Sequence, residues 1–429
     1  MSEYAIVSND QSVLASIRFL DQLTAGYQRY KFAVRLWDGT FWGETKSPRF
    51  ILVIRHPGAL RRMFASSSEL ALGEAFVYGD FDIEGNVESA VDFADFVMTR
   101  QYGIADKFRF GALLTTLPVD PDPERGKGGA AMSGMLHSKE RDRLAVSYHY
   151  DISNEFYSLW LDRSMVYSCG YFETFGDDLD RAQSRKLDYI CRKLRLQGGE
   201  TLLDIGCGWG GLLIHAARNY GVRALGITLS APQAEWAREK IQKEGLSGRC
   251  KVEVCDYRDL DSKHGYDKLV SVGMFEHVGE SRLPEYFGRA WRLLRPGGVF
   301  LNHGIGTSSS FQGNGPSFGE KYVFPDGEIV PINVTLRAAE ERQFQVRDVE
   351  NLREHYALTL RCWVRQLEAK ADRARAIVGD VAYRVWRLYM SGAAFRFGTG
   401  RYNLYQVLLS KLDEGDSHLP LTRTDWYCQ

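Results

Sequence analysis

Residues 202–211 read LLDIGCGWGG, a short apolar run that stops at a cluster of glycines. Gly206, Gly208 and Gly211 keep a GxGxxG spacing, which predicts a strand, a tight turn and the start of a helix whose backbone a cofactor can approach closely. Nicotinamide enzymes and S-adenosylmethionine enzymes both use such a loop, and strand-to-helix packing with no ligand also asks for small residues. Asp204 lies inside the strand, two residues before the first glycine. The next apolar run, VRALGIT, ends in Thr228 where a dinucleotide site would place an acid for the ribose. Both details favour a cofactor without a pyrophosphate, and S-adenosylmethionine, with its amino-acid end, adenosine and sulfonium, fits better.

Outward from this loop the chain alternates. TLLDIG, VRALGIT, KVEVCD, DKLVSVG and GVFLNHG are short apolar runs separated by amphipathic stretches, which predicts an α/β, doubly wound, mostly parallel sheet with helices on both faces. A long helical tail follows, through REHYALTLRCWVRQLEAKADRARAIV and VAYRVWRLYMSGAAFRF. Before the sheet, residues 118–138 begin with PVDPDPERGKGGAAMSGM, whose Pro, Gly, Asp and Ser content predicts a flexible linker. The linker divides an N-terminal α+β domain over 1–117 from a catalytic domain over 139–429. In the first domain KFAVRLWDGTFWGE predicts a hairpin turning at Asp38-Gly39, RFILVIRHPGALRRMF a strand then a helix, and VESAVDFADFVMTRQ a helix.

Composition narrows the classes. A net charge of -1 over 429 residues excludes the basic excess of a nucleic-acid binder. No run approaches the roughly 18 apolar residues of a membrane span, and the first twenty residues lack the pattern of a secretory signal. The seven scattered cysteines suit reduced thiols in the cytoplasm, and Cys250 and Cys255 have no second pair with which to hold a metal. Two acids stand where strands end. Asp256 closes KVEVC, as an adenine contact or a plain loop acid. Glu276, beside His277 in SVGMFEHVGE, would serve a substrate proton, a metal or the next helix.

The stretches HYDISNEFYSLWLDRSMVYSCGYF, LLDIGCGWGG, GITLSAPQ, CDYRDL, SVGMFEHVG, LNHGIG, KYVFPDG and EHYALTLRCW run in order across about 149 to 363. Together they make the chain resemble the cyclopropane-fatty-acyl-phospholipid synthase family of S-adenosylmethionine-dependent methyltransferases, which includes the mycolic acid cyclopropane synthases. LALGEAFVYGDFDIEG resembles the N-terminal domain of its full-length, phospholipid-acting members. The resemblance implies the Rossmann-like class I methyltransferase fold with a seven-stranded sheet. It implies cofactor contacts from Tyr167 and Ser168, from Asp204, Gly206, Cys207, Gly208 and Gly210, from Thr228, Leu229 and Gln233 near the ribose, and from Asp256 and Tyr257 at the adenine. It also implies a bound bicarbonate held by Cys169, Glu276, His303, Ile305 and Tyr356. Singly, each of these five also reads as a core or strand-end residue, and His277 reads as structural.

The implied reaction moves a methyl(ene) group from S-adenosylmethionine to the cis double bond of an unsaturated phospholipid acyl chain. Attack on the methyl leaves a carbocation, and bicarbonate removes a proton as the cyclopropane closes. A methylene- or methyl-branched chain, or a small oxygen or nitrogen nucleophile, is the alternative outcome; a lipid-binding protein without activity is the other class. Tyr171, Phe172, Phe275, Tyr322 and Phe324 are candidates to steady the cation through their ring faces. Some relatives carry a cysteine in the C-terminal helix where this chain has Ala393, so a thiolate there is not the base. Phe156, Tyr157, Leu159 and Trp160 are expected to act as a lid or to touch the bilayer. The protein is expected at the cytoplasmic membrane face as a peripheral enzyme, its N-terminal domain assisting membrane docking or a homodimer.

Overall fold

The computed structural model describes residues 10–64, 66, 68–119, 129–130, 132–261, 265–308 and 317–427. Residues 120–128 and 131, most of the expected linker core, lie outside the described residues, as does Cys428. The chain forms two compact units. The first comprises the described residues of Met1–Gly129, Asn314–Tyr322 and Val378–Phe395, and the second the remainder.

In the first unit the strands β1 (Ala33–Arg35), β2 (Phe41–Gly43), β3 (Phe50–Ile54) and β4 (Phe81–Gly85) form a sheet in the order β2-β1-β3-β4. Thr40 N–H donates to Asp38 Oδ1 and Gly39 takes φ 89°, so the β1–β2 turn falls where Asp38-Gly39 predicted it. Helix α1 (Gln11–Leu23) precedes the sheet, and α2 (Ala59–Phe64), α3 (Glu69–Val77), α4 (Val87–Thr99) and α5 (Ile104–Thr115) follow its strands. A single cut near the linker does not separate the units, because two segments counted with the C-terminal half pack here. Arg384 reaches Asp82 at 2.9 Å, and an added Cβ on Gly73 would stand 2.4 Å from the Phe318 ring.

The second unit carries the predicted sheet. After α6 (Lys139–Tyr150), α7 (Asn154–Ser158) and α8 (Leu179–Leu194), β5 (Thr201–Ile205) leads through α9 (Gly211–Tyr220) to β6 (Arg223–Thr228). The chain continues through α10 (Ala231–Lys243) to β7 (Cys250–Val254), then returns to β8 (Tyr266–Val272) on the other side of β5. Helix α11 (Leu283–Leu293) and β9 (Leu294–Thr307) follow. Two strands absent from the sequence reading, β10 (Gln345–Asn351) and β11 (Tyr402–Ser410), complete the order β10-β11-β9-β8-β5-β6-β7, with β11 antiparallel to both neighbours. Helix α12 (Phe318–Tyr322) belongs to the first unit; α13 (Ile332–Glu340) and the helical tail follow, the tail being α14 (Arg353–Ala369) and α15 (Ala371–Gly398), whose Val378–Phe395 stretch also belongs to the first unit. Gly379, at φ 81°, breaks α15. Among the described residues no helix is long and apolar enough to cross a membrane.

Strand alternation sorts β5 onto two cores. Leu202 joins the cluster under α8, α9 and α10, and Leu203 and Ile205 join the cluster under α11 and α13. Asp204 thereby points to the face that α8 covers. Helix α9 lies so close to β6 that an added Cβ on Gly226 would stand 2.3 Å from Leu213 Cδ1 and 2.7 Å from Cys207 Cβ. Gly226→Ala is therefore expected to destabilise the second unit by about 1–3 kcal/mol through overpacking. A fall of several degrees in its melting transition, measured by calorimetry, checks this.

Candidate active site

The chain goes out from β5 to β7 and returns to β8, so the loops after β5 and β8 run in opposite directions and leave a crevice at their carboxyl ends. A cavity fills it. Its wall includes Gly206, Cys207 and Gly208 after β5, Thr228, Leu229 and Gln233 after β6, Asp256 and Tyr257 after β7, and Gly273 and Met274 after β8. Tyr167 and Ser168 close one side, and Asp204 lines the floor. Of the twelve expected cofactor residues only Gly210 stays off the wall; it caps α9 at φ 79°.

Close packing shapes the loop. Gly206 sits at φ 86°, and a Cβ there would stand 2.7 Å from Met274 Cβ, so the β5 and β8 loops meet as backbone against side chain. The amides of Gly206 and Cys207 both donate to the Ile227 carbonyl, which ties the loop to β6. The Thr228 hydroxyl donates to Gln233 Oε1 at 2.9 Å, and the Ser230 side chain caps α10. Asp256 is more engaged than its expected role required. Arg258 binds both of its oxygens, at 2.8 and 2.6 Å, and reaches on to Asp142 at 2.9 Å.

Lys186, which the sequence reading left unassigned, also lines the cavity. It is buried on α8 and its ammonium donates to Ser168 Oγ at 2.8 Å. One turn earlier on the same helix, Gln183 Nε2 donates to the carbonyls of Val166 and Ser168. Burial lowers the Lys186 pKa to about 8 and raises that of Asp204 to about 7. The signal was in the sequence: Lys186 takes a position in the stripe of Ala182, Leu187 and Ile190 that α8 turns to the core.

None of the five residues expected around bicarbonate lines this cavity, but Glu276 and Ile305 meet each other. His303 and Ile305 are two apart on β9 and share a face. The Ile305 amide, expected to face an anion, donates instead to Glu276 Oε1 at 2.7 Å. The other Glu276 oxygen is buried with no partner. Gln406 Nε2 lies 3.1 Å from His303 Nδ1. An amide nitrogen only donates, so Nδ1 accepts and the ring proton sits on Nε2, which is likewise buried without a partner. Glu276 and His303 thus each leave one buried polar atom unmet, an acceptor on the first and a donor on the second, which is the chemistry an anion carrying a hydroxyl would need. Burial raises the Glu276 pKa to about 7 and keeps His303 neutral. The Cys169 thiol donates to the Gly170 carbonyl at 3.1 Å, and burial pushes its pKa far up, so it cannot serve as a base. Tyr356 stands on α14 with its ring 4.7 Å from Phe397 and 6.0 Å from Trp363, and Trp363 in turn lies 5.2 Å from Tyr167.

Several expectations change. Phe156, Tyr157 and Trp160 are fully buried and Leu159 nearly so, packed with Tyr167, Trp209 and Trp363; they are core and cannot touch a bilayer. None of the five aromatics proposed for the cation lines the cavity. Phe324 stacks on His149 at 3.8 Å and Tyr171 on His355 at 4.8 Å, while Tyr322 belongs to the first unit, where its hydroxyl donates to Glu74 at 3.0 Å. His277 does line the cavity, its Nε2 without a partner and its pKa lowered by burial to about 4. Tyr150 faces the cavity too, and the HYDISNEFY stretch was the signal for it.

The family model for mycolic acid cyclopropane synthetase matches residues 137–407, and a model for a domain of unknown function matches residues 19–96. A probable fatty acid methyltransferase of Pseudomonas putida is 40% identical over 400 residues, 92% of this chain and 95% of that one. The cyclopropane-fatty-acyl-phospholipid synthase of Escherichia coli is 37% identical over 276 residues, 64% of this chain and 70% of that one. The crystal structure of the mycolic acid cyclopropane synthase CmaA1, complexed with SAH and CTAB, superposes with a TM-score of 0.59 at 33% identity, covering 62% of this chain and 97% of that one. With the seven-stranded sheet, the glycine loop and the cavity at the switch point, these matches place the chain in the mycolic acid cyclopropane synthetase family, as a methyltransferase of the class I fold that uses S-adenosylmethionine.

Proposed function

We propose that the enzyme transfers a methyl(ene) group from S-adenosylmethionine to the cis double bond of an unsaturated phospholipid acyl chain and closes a cyclopropane with the help of bound bicarbonate. The unmet pair, Glu276 Oε2 and His303 Nε2, carries this reading. S-adenosylmethionine supplies an electrophilic methyl, and bicarbonate supplies a base that a greasy pocket could not otherwise hold. Glu276, when ionised, accepts the bicarbonate hydroxyl and keeps the charged oxygens turned to the substrate. His303 donates Nε2–H to one of them, and the Tyr356 hydroxyl is assigned a second donation. The Ile305 amide fixes the Glu276 carboxylate for this task. Work on a lipid chain implies a peripheral enzyme at the cytoplasmic membrane face, with the first unit assisting docking or dimerisation.

A second reading keeps the site and changes the product to a methylene- or methyl-branched chain. The relative matched over 92% of this chain is called a fatty acid methyltransferase, which favours it. Mass spectra of lipids from cells expressing the protein separate the two. The ring and a methylene-branched chain both gain one CH₂, but only the ring survives catalytic hydrogenation without taking up hydrogen; a saturated methyl-branched chain requires a hydride donor and is told apart by its gain of CH₄, and either branched product would replace the cyclopropane reading. Stripping carbon dioxide from the assay is expected to slow turnover, with recovery on adding bicarbonate; an unchanged rate would remove bicarbonate from the site.

Glu276→Gln and Tyr356→Phe are each expected to lower kcat by about 10²-fold, the scale of losing one preorganised contact, while affinity for S-adenosylhomocysteine stays within about twofold. Calorimetric titration alongside rate measurements checks both halves. The pH profile follows from the raised Glu276 pKa of about 7. Only the ionised form accepts the bicarbonate hydroxyl, so kcat should fall as pH drops through about 7, and Glu276→Gln should lack that limb. Folding shows the opposite sign. The folded state holds this proton more tightly than the unfolded chain, so stability from Glu276 is fullest below its ordinary range and declines as pH rises toward about 7.

A further inference from the structure

Lys186 and Asp204 bring opposite charges to one cavity, and neither neutralises the other by contact. Lys186 is 1% exposed and Asp204 2%. Their polar contacts are few: Lys186 donates to Ser168 Oγ and makes no ion pair with any carboxylate among the described residues, and Asp204 Oδ1 has no partner at all. Two acids flank the ammonium electrostatically, Asp162 and Asp204. Asp162 is already spent, since its oxygens accept the amides of Ser164 and Val166 at 2.8 Å each. A buried ammonium with two hydrogens unused and a buried carboxylate with a bare oxygen are each costly to keep unless something meets them.

Their placement follows from the fold. Strand alternation turns Asp204 to the face of β5 covered by α8, and α8 carries Lys186 in its buried stripe. Ser168 links Lys186 to the cap. Its hydroxyl accepts from the ammonium, which leaves its own hydrogen free to donate. The cavity therefore offers, at one end, a cationic and a hydroxyl donor beside an anionic acceptor. A zwitterion matches that set: a carboxylate for Lys186 and Ser168, an ammonium for Asp204.

We propose that Lys186, acting with Ser168, is the cation that binds the α-carboxylate of the cofactor's amino-acid end, while Asp204 receives its ammonium. This rests on the assignment of the cavity to S-adenosylmethionine. The alternative is structural: Lys186 and Gln183 clamp residues 166–168 onto α8 and touch no ligand.

Calorimetric titration of the full chain distinguishes these with two probes, S-adenosylhomocysteine and its decarboxylated counterpart, which lacks only the carboxylate. Wild type should bind S-adenosylhomocysteine about 10- to 100-fold more tightly than the decarboxylated compound, the range for one charged hydrogen-bonded contact. In Lys186→Met that gap should close, by loss of S-adenosylhomocysteine affinity with the decarboxylated compound unchanged. Equal loss on both probes, or a gap that persists in the variant, would overturn the proposal in favour of the clamp. The wild-type comparison needs no variant to fold, and equal affinities there would overturn it too. Wild type that binds neither probe would instead remove the cofactor assignment beneath it.

Discussion

The carboxyl ends of β5 and β8 part because the chain runs out to β7 before it returns, and the crevice between them can be closed only by backbone. That constraint sets the site. Gly206 turns at positive φ because Met274 occupies the space a side chain would need, and Gly226 is bare because α9 must lie on β6. The Ile227 carbonyl takes two loop amides at once, so the turn hangs from β6 as well as from its own strand. Residues from four strand ends then face one volume. A ligand bound there touches β5, β6, β7 and β8 together, which no single loop could achieve.

Burial then pushes several ionisable groups in and around the cavity toward their neutral forms. Cys169 and Tyr150 keep their protons, His149, His303 and His277 lose theirs, and Glu276 and Asp204 are pushed up to about 7. Charge is scarce in this region, and where it persists it is held by a specific partner. Arg258 has Asp256 and Asp142; Lys186 has Ser168 and the field of two carboxylates. A cationic sulfonium brought into such surroundings loses hydration, and charge that spreads on methyl transfer is penalised less than charge fixed on one atom.

The sequence made the parallel half of the sheet legible because its strands are continuous apolar runs, as doubly covered strands must be. It hid β10 and β11 for a matching reason. QVRDVEN lies at the sheet edge with three charged residues and mostly partial burial, so it presents no apolar run. YNLYQVLLS follows a long helix and reads as its continuation. The glycine loop announced the cofactor end through spacing, and Lys186 was visible only as a cation inside a buried stripe. Glu276 reaches the Ile305 amide because β8 and β9 pair in parallel, with Val272 opposite His303, a register that no local pattern encodes. The misreading of Phe156, Tyr157 and Trp160 as a lid came from treating aromatic content as surface chemistry, when three aromatics within five residues need a core to hide in.

The same neutralising pressure bears on why a side chain is a poor base in the reaction we propose. A base beside an acyl carbocation must be anionic or strongly basic, must lie within reach, and must not be alkylated in its place. Cys169 fails because its thiolate is inaccessible, and the histidines fail because burial makes them weakly basic. Glu276 is the nearest to suitable, yet the Ile305 amide holds one oxygen, and at a pKa of about 7 it is half protonated at neutral pH. An exchangeable anion escapes each limit. Under the proposed function it would enter charged, meet the donor and the acceptor that the fold leaves unmet, and leave after taking a proton, so the protein would reset without having to reionise a buried residue in an apolar pocket.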